Sequence, residues 1–106
     1  MINFDNQLDI TKNIKMIEIL KGQILAGVSD LHNSFIDSNS TETDKIEIFA
    51  DLTILIYILA KKIGITPETL LLKINKKLKI GVLDETDIFN EDVKELLRYF
   101  NNYDKK

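Results

Sequence analysis

Acidic side chains set into apolar helical sequence are the residues of this chain best suited to chemistry, and Asp51 comes first among them. It lies within Phe49-Ala50-Asp51-Leu52-Thr53-Ile54-Leu55-Ile56. A carboxylate buried among aliphatic side chains is costly unless it is paired, protonated or bound to a metal. A structural ion pair is the competing reading. Glu47, four residues earlier, shares a helical face with Asp51, and as a first-turn acid it also suits the positive end of the helix dipole. Asp30 is the only carboxylate between Glu18 and Asp37; near a helix end such an acid often simply faces water. Lys73, Asn75 and Lys77 make a basic and polar set able to cradle phosphate, each lysine acting as a point charge. An ordinary solvated face is the plainer reading of the same residues. His32 reads as a surface or capping residue rather than a base, and Tyr57 as core or interface, its hydroxyl needing only a partner.

Composition removes several other chemistries. The chain has 106 residues and no cysteine, which rules out disulfides, thiolate zinc sites and a cysteine nucleophile; a single histidine leaves little imidazole chemistry. The net charge of −3 sets up no broad field for polyanions, so neither nucleic acid nor an anionic membrane is an expected partner. No glycine-rich phosphate loop is present, which excludes a P-loop mechanism. The start Met1-Ile2-Asn3-Phe4-Asp5 is polar and acidic, and no apolar run reaches the roughly 18 residues of a membrane span. The expectation is a cytoplasmic protein, one domain over residues 1–106, its 44% hydrophobic residues sufficient for one core.

Helices must position these groups, because apolar spacing near 3.6 recurs between the glycines and the sole proline and no strand alternation competes. The first helix is predicted from Asp9 or Thr11, both plausible caps, to near Asn33, with Ile14, Ile17, Leu20, Ile24, Val28, Leu31 and Phe35 as one stripe. Gly22, Ala26 and Gly27 inside it point to a close approach by another backbone or a ligand, or to mere compositional drift. Thr41 followed by Asp44 is a capping-box-like start for the second helix, which ends near Ile63 with Lys61 and Lys62 in its last turn and Gly64 as the stop. Phe49 to Ala60 is apolar on nearly every face, so burial all round is expected, with a partner subunit as the cover. Thr66 and Pro67 open a third helix that ends near Gly81. An acidic loop at Asp84-Glu85-Thr86-Asp87 precedes a fourth, capped by Asn90 and marked by Phe89, Val93, Leu96, Leu97 and Phe100, with fraying from Asn101 onward. The fold class predicted is all-α, a four-helix bundle-like domain whose core is completed by oligomerisation, a homodimer or higher.

The stretch from Ala50 to Thr66, Ala-Asp-Leu-Thr-Ile-Leu-Ile-Tyr-Ile-Leu-Ala-Lys-Lys-Ile-Gly-Ile-Thr, resembles without a gap a pattern of the MazG-like all-α nucleoside triphosphate pyrophosphohydrolases: Ala-Asp, an apolar run, then Ala-x-x-Leu-Gly-Ile-Asp. Lys73-Ile74-Asn75-Lys76-Lys77-Leu78 resembles the segment of that family that helps to hold the nucleotide phosphates. The resemblance implies a nucleotide as partner, magnesium as cofactor, and cleavage of a triphosphate between its α- and β-phosphates. It also implies carboxylate ligands arranged as Glu-x-x-Glu on helix one and Glu-x-x-Asp on helix two, spacings that keep each pair on one face. On helix two Asp51 matches, Ile48 stands three before it, and Glu47 is the acid that can substitute. On helix one the signature falls either on Gly27 and Asp30 or on Gln23 and Ala26, so carboxylates are missing in both registers. The residues implied are thus Asp51 and Glu47 for catalysis, Asp51, Glu47 and Asp30 for the metal, and Lys73, Asn75 and Lys77 for the nucleotide. A relative that binds or sequesters a nucleotide, or regulates a protein partner, without turnover is the alternative implied by the missing acids. A helix-turn-helix DNA binder fits the short connections but not the charge.

Overall fold

The computed structural model describes residues 4–104. Four helices account for nearly all of them: α1 Phe4–Ile36, α2 Glu42–Lys62, α3 Pro67–Gly81 and α4 Asn90–Asp104, with no strand among the described residues. None of these helices is long and apolar enough to cross a membrane. Contacts gather the chain into two compact units, one built on α1 and α2, the other on α3 and α4.

In the first unit α1 and α2 run antiparallel. Asn13 Nδ2 donates to Lys62 O at 3.2 Å at one end, and Gly27 lies against Leu52 further along. From Leu8 onward the residues of α1 shielded from solvent are Asn13, Ile17, Leu20, Ile24, Gly27, Leu31 and Ser34, alternating steps of four and three; on α2 the row Lys45, Ile48, Leu52, Leu55, Leu59 and Lys62 has the same steps, with Tyr57 and Ala60 half-buried beside it. A mean repeat of 3.5 is the spacing that keeps one narrow seam facing a partner helix. Among the described hydrophobic residues only Leu20 and Leu52 are buried, each still 8% exposed. The broader stripe expected for α1 is therefore split: Ile17, Leu20, Ile24 and Leu31 join the seam, while Ile14, Val28 and Phe35 remain exposed. Within this chain α2 is covered along the seam and not all round, leaving Ile46, Phe49, Ile54 and Ile56 about half exposed.

Local chemistry fixes the ends of α2. Thr41 caps it: its Oγ1 accepts from Asp44 N at 3.1 Å while Asp44 Oδ2 accepts from Thr41 N at 2.9 Å, the reciprocal pair of a capping box. That backbone hydrogen bond, reinforced by the Thr41 hydroxyl, holds the Asp44 carboxyl below the ordinary carboxylate range. Gly64 follows the helix at φ 91, the left-handed conformation that a Cβ disfavours. The first helix begins at Phe4, ahead of both Asp9 and Thr11, and continues to Ile36. No proline interrupts that stretch, and each added residue completes a further backbone bond at little cost once a helix exists.

The second unit starts at the Thr66 cap, whose hydroxyl accepts from Thr69 N, with Pro67 in the first turn. Gly81 of α3 faces Val93 of α4, which a Cβ at 81 would meet at 3.4 Å. Asn90 is buried and is not the expected cap: its Nδ2 donates to Val82 O and Asp84 O, tying down the connecting loop. Phe89 takes the cap position instead, its carbonyl accepting from Val93 N and its own N–H bound by Asp87 Oδ1. In the same loop the Thr86 hydroxyl and then its N–H donate to Asp84, lowering that carboxyl below its usual range. Helix α4 persists to Asp104, so Asn101 and Asn102 are helical, not frayed.

Candidate functional site

Beside the α1/α2 seam runs an open groove of about 370 Å³ lined by Gln23, Ala26, Gly27, Asp30, Asp51, Ile54 and Leu55. Its existence follows from the narrow seam. Residues 23, 26 and 30 sit just off the buried row of α1, and 51, 54 and 55 sit on or just off that of α2, so the two rows form facing walls. Asp30 and Asp51, the acids singled out on each helix, thus share one groove. Asp51 is exposed there rather than buried among aliphatic side chains. The reason is positional: Leu52, its neighbour in sequence, takes the seam, and a step of one residue turns a side chain about 100° away.

The other candidates stand elsewhere. Glu47 is exposed one turn before Asp51 and is not among the lining residues. Lys73, Asn75 and Lys77 lie on α3 in the second unit, the lysines exposed and Asn75 half-buried with its Oδ1 buried and without a hydrogen-bond partner among the described residues. His32 is exposed on the last turns of α1, and Tyr57 is half-buried on α2. Among the described residues no group of three or more His, Asp or Glu side chains gathers closely enough to hold a metal ion.

Gly27 distinguishes the two registers left open on α1. A Cβ at 27 would lie 2.7 Å from Leu52 Cδ2 and 3.2 Å from Leu52 Cγ. A carboxylate there would have to displace the buried leucine of the seam. Gln23, Ala26 and Asp30 carry exposed side chains on the groove wall. The positions of α1 that can present a side chain to Asp51 are therefore 23, 26 and 30, of which only 30 is acidic. The close approach expected at the glycines is found at Gly27 alone, and it comes from the Leu52 side chain; a Cβ at Gly22 would meet nothing within 4 Å.

A second depression opens where α1 ends, lined by Asp30, Asn33, Ser34, Asp37, Asn39, Ser40 and Asp44. Two of its acids are engaged in shaping the turn: Asp37 Oδ1 accepts from Asn39 N at 2.9 Å, and Asp44 serves the capping box. Asp30 lines both depressions and makes no such bond to the turn.

Compared with known proteins, the sequence matches the model of the MazG-like family over residues 10–96, which takes in α2 and α3 whole, nearly all of α1 and the first half of α4. The chain belongs to the MazG-like family. No curated protein and no solved structure matches it. The match places both walls of the groove inside the part of the chain that defines this MazG-like protein as a family member, together with the α3 segment carrying Lys73, Asn75 and Lys77.

Proposed function

We propose that this MazG-like protein takes a magnesium-bound nucleoside triphosphate into the α1/α2 groove and acts as a pyrophosphohydrolase, releasing pyrophosphate and the nucleoside monophosphate. The observation that carries the reading is the pairing of Asp30 and Asp51, one from each helix, on facing walls of one groove. Two carboxylates suit an ion that arrives with its substrate, because magnesium is commonly held by one or two carboxylates while phosphate oxygens and waters complete its octahedron. They do not suit a standing metal cluster, which needs more oxygen ligands than the groove offers. Asp51 and Asp30 would hold the ion, with Glu47 reaching from one turn away. Magnesium on a triphosphate neutralises charge on its oxygens and polarises the phosphorus under attack. The exposed carboxylates are hydrated in the free protein, which leaves them able to exchange water for an incoming ion.

The same reading has a second copy covering the apolar side of α2, where Ile46, Phe49, Ala50, Thr53 and Ile54 line a shallow depression. A homodimer would bury side chains that one chain leaves in water. Light scattering on the purified protein tests this, a monomer at micromolar concentration counting against it.

One observation favours a second reading. Positions 23 and 26 face Asp51 without a carboxylate, so a protein that binds or sequesters a nucleotide without turnover is the natural alternative. Pyrophosphate release from a panel of NTPs and dNTPs separates the two. Magnesium-dependent release that Asp51→Asn abolishes supports the enzyme, and nucleotide binding without release supports the sequestering protein. DNA binding with a steep salt dependence and no affinity for free nucleotides overturns both.

A further inference from the structure

The α1/α2 hairpin has a second side, away from the groove. On the groove wall Gln23, Ala26 and Asp30 each come one place before a seam residue of α1, as Asp51 and Ile54 do on α2. Ile14, Lys21, Val28 and Phe35 each come one place after one, as Ile46, Phe49, Thr53, Ile56, Ala60 and Ile63 do on α2. A step of one residue turns a side chain about 100° in a fixed sense, so the earlier and later sets lie on opposite sides of the seam, and in an antiparallel pair the two later sets share one face. With the half-buried Ile17, Ile24 and Leu31 between its members, the later row of α1 steps by three and four, and that of α2 does the same. Each helix thus carries two adjacent seams, one filled by its hairpin partner and one open. That is the pattern of a helix in a four-helix bundle, which packs against two neighbours.

The open seams are suited to burial. Their large apolar side chains, with Ile10 one turn before Ile14, are 49–66% exposed. Together they form a patch larger than monomers usually leave in water and comparable to the ~800 Å² that a standard interface takes from each partner. Thr53 Oγ1 donates to Phe49 O at 2.8 Å, so it brings no unpaired hydroxyl into an interface. Lys21 keeps its charge beside Glu18 at 3.0 Å and has an aliphatic stem to bury. Length identifies the occupant. From Ile10 to Phe35 the row on α1 runs about 37 Å. The 15 residues of α3 and of α4 reach about 22 Å and the 21 of α2 about 31 Å, whereas the 33 of α1 reach about 50 Å. We infer that a second copy of this chain seats on the face opposite the groove, α1 along α1 and α2 along α2, in an isologous four-helix bundle. The inference rests on the second copy proposed above, gives it a seat that includes α1, and turns both grooves outward, so that each is built from one chain.

The test combines light scattering at micromolar concentration with maleimide labelling of single cysteines, placed in a chain that has none of its own. Wild-type protein is expected to be a dimer, Ile14→Lys and Val28→Lys to be monomers, and Gln23→Lys, on the groove side of the same helix, to remain a dimer. Val28→Cys, a small change that spares the fold, is expected to label about tenfold more slowly than Gln23→Cys, although both positions are exposed in the single chain. If the wild-type protein is a dimer but both lysine variants keep it, or the two cysteines label alike, the seat on α1 is overturned while a dimer through α2 stands. If the wild-type protein is a monomer, the second copy fails altogether. Neither result bears on nucleotide binding, which pyrophosphate release and titration decide separately.

Discussion

Gly27 and Gly22 sit five residues apart in the same helix, yet replacing each with alanine should have opposite consequences. At either position alanine removes the conformational penalty of glycine in a helix, a gain of about 1 kcal/mol. A Cβ at 22 meets nothing within 4 Å, so Gly22→Ala is expected to stabilise the protein by that amount. A Cβ at 27 lies 2.7 Å from Leu52 Cδ2 and 3.2 Å from its Cγ, and Leu52 is only 8% exposed, so the leucine must shift within the seam. Overpacking of this kind costs about 1–3 kcal/mol. The net effect of Gly27→Ala then runs from neutral to roughly 2 kcal/mol destabilising, and the two variants should differ by about 1–3 kcal/mol. At roughly 4–8 °C per kcal/mol, a separation of several degrees in Tm is expected, confirmed by urea unfolding followed by circular dichroism. Shortening the neighbour by Leu52→Val should recover part of the loss in the double variant, a coupling that independent sites do not show. Equal stabilisation by the two alanines would refute the antiparallel register that sets Gly27 against Leu52, and with it the facing walls of the groove.

Other outcomes follow from the same geometry. Thr41→Ala removes one half of the capping box and should lower stability by about 1 kcal/mol, read from the urea midpoint. Asn90→Ala leaves the carbonyls of Val82 and Asp84 without their buried donor and should cost about 1–3 kcal/mol. Asp44 and Asp84 have carboxyls depressed by their hydrogen bonds, so their contribution is complete above the unfolded carboxylate value of about 4 and is lost as the pH falls through the lower folded values. Thermal scans between neutral pH and about pH 2 should show this acid loss, and it should shrink in Asp44→Ala. Gln23→Glu combined with Ala26→Glu puts four carboxylates on the groove walls and should create manganese binding without nucleotide, measurable by electron paramagnetic resonance; its absence would mean that 23 and 26 do not face Asp51.

What could be read from the sequence was what neighbours three or four residues apart decide. Thr41 with Asp44, Thr66 with Pro67, and Gly64 each fix a helix end through contacts a few residues long, and the structure has all three. The position of Asp30 and Asp51 in one groove was legible as a possibility, because both lie just off an apolar row. Which row is buried was not, since α2 is apolar on nearly every face and only its pairing with α1 selects Ile48, Leu52, Leu55 and Leu59. Asp51 therefore reads as buried in the sequence and is exposed in the structure. The role of Asn90 was equally out of reach: its partners lie six and eight residues away in a loop whose path the sequence pattern does not describe. Gly27 could be suspected of a close contact, but only the register identifies Leu52 as its cause and shows that Gly22 has none.

The most direct test of the groove as a site for a magnesium nucleotide is calorimetric titration of nucleoside triphosphate with and without magnesium into wild-type protein and Asp30→Asn/Asp51→Asn. Binding that requires magnesium and disappears in the double variant is the predicted result. Binding that ignores magnesium, or that survives loss of both carboxylates unchanged, would contradict it.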